Sequence, residues 1–200
     1  LLAVIMALAS AVLFARPAAA ESLYIRKIVS VVCDDSGSMT GDKWAYANYA
    51  LQAFCGMLNS EDRMYITYMS EVDGGQDDPT YAPNEIDLSA GAIQSSIDSI
   101  RARGVGGGTP YGAVETAFET LKGEKDDNIN PQYWLVVITD GEFNECNGMD
   151  REEACSFLNE RFDGYVRQTM HNGTTPRLTF LGIGDVVAPD ADESAGIYTY

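Results

Sequence analysis

A chain of 200 residues that is 46% hydrophobic and 22% charged has the balance of one well-packed globular domain. Its formal charge of −17 and pI near 4.2 argue against nucleic acid or anionic membrane surfaces as partners. Most of that charge is expected to form a solvated acidic face.

The first 20 residues differ from the rest. Leu1 to Phe14 is almost wholly apolar, Arg16-Pro17 interrupts it, and Ala18-Ala19-Ala20 places small residues before Glu21. The pattern is that of a secretory signal peptide over residues 1–20 with its start missing, followed by a domain over residues 21–200. A membrane anchor is the competing reading, but the run is short for a span and its small-residue end disfavours one. Export would place the domain outside the cell or on its surface, or in the periplasm of a host with an outer membrane.

Ile28 to Cys33 is a continuous apolar run, expected to be a buried strand. Trp44, Ala47, Leu51, Phe54, Cys55 and Leu58 recur at spacings of three and four, which predicts an amphipathic helix. Met64 to Met69 predicts the next strand. Glu71 to Glu85 is a long acidic loop, and Ile86-Asp87-Leu88 a short edge strand. Ser89 is placed to cap a helix carrying Ile93, Ile97 and Ile100. After the break at Gly104 to Gly108, Tyr111, Val114, Phe118 and Leu121 mark another helix, with Pro110 in its first turn. Tyr133 to Thr139 reads as the middle strand of a parallel sheet. A helix from about Asp150 to Met170 and a strand from Leu178 to Ile183 follow. Ile197 to Tyr200 reads as a further strand, with a last covering helix truncated.

Strands alternating with helices predict a three-layer α/β fold: a mostly parallel sheet, a short antiparallel edge strand, and helices on both faces. Ligands of such folds bind at the carboxyl ends of the strands. Three strand-end loops carry hard oxygen donors there. Asp34, Ser36 and Ser38 follow the first strand, Thr109 heads a helix after Gly106-Gly107-Gly108, and Asp140 ends the most buried strand. Two carboxylates and three hydroxyls suit Mg²⁺, which takes six oxygens and keeps water readily. Uncharged hydroxyl ligands leave such a cation electrophilic.

The pattern Asp-x-Ser-x-Ser, then Thr, then Asp resembles the metal-ion-dependent adhesion site of von Willebrand factor type A domains, found also in integrin inserted domains. The stretch Asp34 to Met39 with Lys43-Trp44 is similar to secreted bacterial members, and the resemblance runs from about Ile25 onward. It implies a Rossmann-like fold and a bound Mg²⁺, with Mn²⁺ or Ca²⁺ as substitutes. It also implies a protein partner whose Asp or Glu carboxylate completes the coordination, and no catalysis. The alternatives are a scaffold or assembly module of a membrane-associated complex, and a metal-dependent hydrolase.

The four cysteines divide. Cys33 and Cys55 should lie far apart along strand and helix and read as small buried residues. Cys146 and Cys155 flank a polar loop and are expected to form a bridge, with two thiols as the alternative. Asp35 is expected to face solvent, with a role supporting the ion's ligands or as a supplementary ligand as the alternative, and Met39 to pack beneath its loop. Gly141 is expected to serve the turn. Glu142 and Asn144 border the ligand surface or lie on plain surface, and Tyr111 and Phe143 are placed near the site's rim. Asn172-Gly173-Thr174 is a glycosylation sequon in a eukaryotic exported protein and a turn in a bacterial one. A serine hydrolase would have to use His171, the single histidine, which is expected at the opposite pole from Ser36 and Ser38.

Overall fold

Successive side chains of a strand face opposite sides of its sheet, so a strand buried on both faces must be apolar throughout. β1 (Lys27–Cys33) meets that condition except at the buried Ser30: Ile28 and Val32 are buried on one side, and Val29, Val31 and Cys33 on the other. The computed structural model describes residues 24–72, 81–125, 130–141 and 143–183. The signal peptide expected over 1–20, the strand expected over 197–200 and Glu142 lie outside the described residues.

After β1 come a 3₁₀ turn (Gly37–Met39), α1 (Asp42–Met57), β2 (Arg63–Tyr68), the short α2 (Met69–Val72), β3 (Asn84–Glu85) and α3 (Ile93–Ala102). Then follow α4 (Gly112–Gly123), β4 (Gln132–Thr139), a 3₁₀ turn (Asn144–Cys146), α5 (Arg151–Val166) and β5 (Arg177–Gly182). The sheet order is β3-β2-β1-β4-β5, with β3 antiparallel to β2 and every other pair parallel. The register places Val31 beside Ile66 on one flank and Val136 on the other.

Each face has its own core. Ala47, Leu51 and Cys55 of α1 and Ile100 of α3 cover Val29, Val31, Met64 and Ile66. Val114, Phe118 and Leu121 of α4 and Leu158 and Phe162 of α5 cover Ile28, Val32, Leu135 and Phe180. This is the expected three-layer α/β fold with a mostly parallel sheet.

Local details differ from expectation. The edge strand forms at Asn84–Glu85 and not at Ile86-Asp87-Leu88, because Ile86 and Leu88 turn into the α1–α3 core. Ser89 supports α3 with its backbone: its carbonyl accepts from the Ile93 N–H at 2.9 Å, and the helix has no side-chain cap. α5 ends at Val166, short of Met170, and begins with a capping box between Asp150 and Glu153. Cys146 and Cys155 are thiols, as are Cys33 and Cys55, so the expected bridge is not formed. The 3₁₀ turn holds Cys146 half-buried while Cys155 is drawn into the core on α5.

Candidate metal centre

The chain leaves β1 for β2 on one side and later returns through β4 to the other side of β1. Loops after adjacent strands that depart in opposite directions open a crevice at the strands' carboxyl ends. Asp34 and Asp140 are the residues that leave β1 and β4, and the Asp34 N–H extends the ladder to the Ile138 carbonyl at 2.8 Å. Both carboxylates are buried, at 0% and 1% exposure, and close enough for Asp140 to disfavour the charge on Asp34.

The Asp34 carboxylate is oriented from both sides. Its Oδ1 accepts from the Ser36 backbone N–H at 3.0 Å, and its Oδ2 from the Thr139 hydroxyl at 2.8 Å. Burial holds its carboxyl above the ordinary value, and the Asp140 charge adds to this; the hydrogen bonds from Ser36 and Thr139 oppose it. Ser36 is buried and Ser38 exposed, with their hydroxyl oxygens 2.9 Å apart. Met39 is fully buried beneath the loop, as expected.

Thr109 is brought to the same end by backbone bonds between loops. The Gly106 N–H donates to the Asp35 carbonyl at 2.6 Å, and the Gly37 N–H to the Gly107 carbonyl at 3.4 Å. Gly107 has φ +74°, a left-handed conformation that favours glycine. The third loop grips the second: the Thr109 hydroxyl donates to Asn144 Oδ1 at 3.2 Å, and the Asn144 N–H returns to the Thr109 carbonyl at 2.9 Å. Glu145 Oε2 accepts from the Tyr111 N–H at 2.8 Å at the head of α4, where a helix welcomes negative charge. Gly141 makes the turn with φ +85°, and its N–H donates to the Thr139 hydroxyl at 2.9 Å.

Among the described residues, no three or more His, Cys, Asp and Glu side chains gather as a metal cluster. The oxygen donors at the crevice are the carboxylates of Asp34 and Asp140 and the hydroxyls of Ser36, Ser38 and Thr109. The crevice already attracts positive charge, since Lys43 places its ammonium 2.9 Å from Asp140 Oδ2. Hard oxygens, two buried carboxylates and a cation drawn to them fit a hard divalent ion. His171 sits in the turn between α5 and β5, at the amino end of the strands and away from Ser36 and Ser38.

Several residues take roles that their sequence positions did not suggest. Asp35 is 1% exposed, not solvent-facing, and accepts from the Ser70 backbone and hydroxyl and from Arg103. Tyr111 and Phe143 are core residues and not rim residues: both are buried, with ring centroids 5.6 Å apart in an edge-on pair. Thr139, which no motif marks, orients Asp34, and Asn144, expected at the ligand surface or on plain surface, holds Thr109. Residues 172–174 form a turn, in which the Thr174 N–H donates to Asn172 Oδ1 at 3.0 Å.

The family model for the von Willebrand factor type A domain matches residues 29–142. No relative is found among curated protein sequences. The chain is similar to the pilus adhesin SpaC from Lactobacillus rhamnosus GG at 16% identity and TM-score 0.45, over 62% of this chain and 16% of that one. A von Willebrand factor type A protein from Catenulispora acidiphila matches at 16% identity and TM-score 0.43, over 66% and 30%. Manganese-loaded TRAP protein from Plasmodium vivax matches at 15% identity and TM-score 0.47, over 81% and 58%. The chain thus spans less than a third of the length of the first two structures. A family match over more than half the chain identifies the protein as a member of the von Willebrand factor type A domain family.

Proposed function

We propose that the domain is a Mg²⁺-dependent protein-binding module. Asp34, Ser36, Ser38, Thr109 and Asp140 would hold the ion. When bound, the ion supplies an electrophilic position able to accept an Asp or Glu carboxylate from a partner protein. The observation that carries this reading is the meeting of two buried carboxylates at the switch point between β1 and β4, with hydroxyl-bearing loops around them. Mn²⁺ or Ca²⁺ can replace Mg²⁺ where ligand number and geometry allow. The apolar run Leu1 to Phe14 with its small-residue end supports an exported setting at the cell surface. In this reading Ser36 and Ser38 serve as ligands and not as nucleophiles, since the single histidine sits at the far pole of the sheet.

Calorimetric titration of chelator-washed protein with Mg²⁺ tests the site. Saturable binding is expected for the wild type and loss of it for Asp34→Ala. Equal affinity in both proteins refutes the assignment. Capture of partners from surface extracts should depend on Mg²⁺ and reverse with chelator; retention in chelator refutes the metal-mediated contact.

A further inference from the structure

Behind the metal-site loops lies a second charged junction. Asp35, the neighbour of the ligand candidate Asp34, is almost fully buried and accepts four hydrogen bonds. Ser70 gives two, from its backbone N–H at 2.9 Å and its hydroxyl at 2.6 Å. Arg103 gives the other two, from Nε at 3.0 Å and Nη2 at 2.8 Å, both to Asp35 Oδ2. The guanidinium also lies 4.1 Å from the centre of the Tyr68 ring and donates from Nη1 to Glu71 at 2.6 Å. Its backbone is held as well: the Arg103 N–H closes the end of α3 on the Ile100 carbonyl, and its own carbonyl accepts from Trp44 Nε1 at 3.1 Å. Arg103 is therefore fixed at both ends immediately before a loop rich in glycine.

That loop is the problem which the junction solves. Gly104, Gly106, Gly107 and Gly108 give the segment many conformations in isolation, so ordering it costs more entropy than ordering an ordinary loop. Yet it must deliver Thr109 to a defined position beside the first loop. The two loops touch through the Gly106 N–H on the Asp35 carbonyl, so the residue that Arg103 grips by its side chain is also the one that the glycine loop grips by its backbone.

We propose that Arg103 is a positioning residue of the metal centre, clamping the glycine loop to the first loop through Asp35 so that Thr109 is delivered to the ion. The proposal rests on the reading of the crevice as a metal site. A planar fork is what the junction uses, and lysine cannot reproduce two parallel N–H donors. Groups that orient metal ligands without touching the metal typically change affinity by roughly 10- to 100-fold when removed.

The test combines two readouts on the wild type, Arg103→Ala, Arg103→Lys, Thr109→Ala and the Arg103→Ala/Thr109→Ala double variant. In Mg²⁺ titrations, Arg103→Ala should weaken binding roughly tenfold, and Arg103→Lys should weaken it as well. The double variant should bind no more weakly than Thr109→Ala alone, because Arg103 acts through the same ligand. Effects that multiply would overturn the proposal. In chelator, hydrogen exchange over residues 104–109 should quicken in both Arg103 variants while β4 keeps its protection. Unchanged exchange in that segment also overturns it. If the wild type takes up no Mg²⁺, the metal reading fails, and the exchange experiment still decides the clamp. Arg103→Lys serves as the better-folded variant if Arg103→Ala unfolds.

Discussion

Thr139→Val is the sharpest perturbation of the crevice, because it removes one hydroxyl and changes almost no volume. That hydroxyl donates to Asp34 Oδ2 at 2.8 Å and accepts from the Gly141 N–H at 2.9 Å, in a residue with no exposure. Valine keeps the shape and leaves both partners without this bond. A lost hydrogen bond to a charged group costs about 1.5–3 kcal/mol, and a neutral buried donor left alone costs about 1–3 kcal/mol. The sum is about 2.5–6 kcal/mol, or roughly two to four orders of magnitude in the folding equilibrium. Urea unfolding in chelator at 25 °C measures it. Thr139→Ser keeps the hydroxyl and loses only a methyl group, so its cost should stay near 1 kcal/mol. The reasoning fails if Thr139→Val lies within about 0.5 kcal/mol of wild type, or if serine costs as much as valine.

Asp150→Ala removes the capping box of α5 and should cost about 1 kcal/mol, seen as a melting temperature lower by a few degrees; an unchanged melting curve contradicts it. The Asp34 carboxyl, raised mainly by burial, binds its proton more tightly in the folded chain than in the unfolded one. Its contribution is therefore fully present below the ordinary value near 4 and is lost as pH rises through the raised value. The stability difference between metal-free wild type and Asp34→Asn should accordingly move against the wild type over that window, and a flat difference rejects the shift. Peptide mapping without reductant should return Cys146 and Cys155 as alkylated thiols; a linked pair of peptides would restore the bridge expected from their spacing.

Much of the architecture is visible in the linear chain, because burial on two faces leaves a plain signature. Val29, Val31 and Val32 in β1 and Leu135 to Ile138 in β4 admit few readings other than central strands. The same holds for α1 and α4, whose inward residues recur at helical spacing. Elements with less burial were harder to place. β3 is only two residues long and exposed, so nothing in the composition of Asn84–Glu85 marks it as a strand, while Ile86 and Leu88 beside it carry the apolar signal. The start of α3 was expected at the right serine but through the wrong group, since Ser89 uses a carbonyl that every residue carries.

The candidate ligands were named from local chemistry alone: Asp34, Ser36, Ser38, Thr109 and Asp140 are oxygen donors just beyond apolar strands or ahead of a helix. Ligand type and loop position are local properties, and a sequence states them directly. The groups that orient those ligands are not local. Thr139 meets Asp34 across 105 positions, Lys43 meets Asp140 across 97, and Arg103 meets Asp35 across 68. A threonine, a lysine and an arginine are ordinary residues until the strand order brings them to one end of the sheet. The linear order of residues specifies the layers of the fold and the donors available to an ion. The side chains that hold those donors in place emerge with the folded arrangement, because a hydrogen bond between distant residues has no periodicity and no spacing to read.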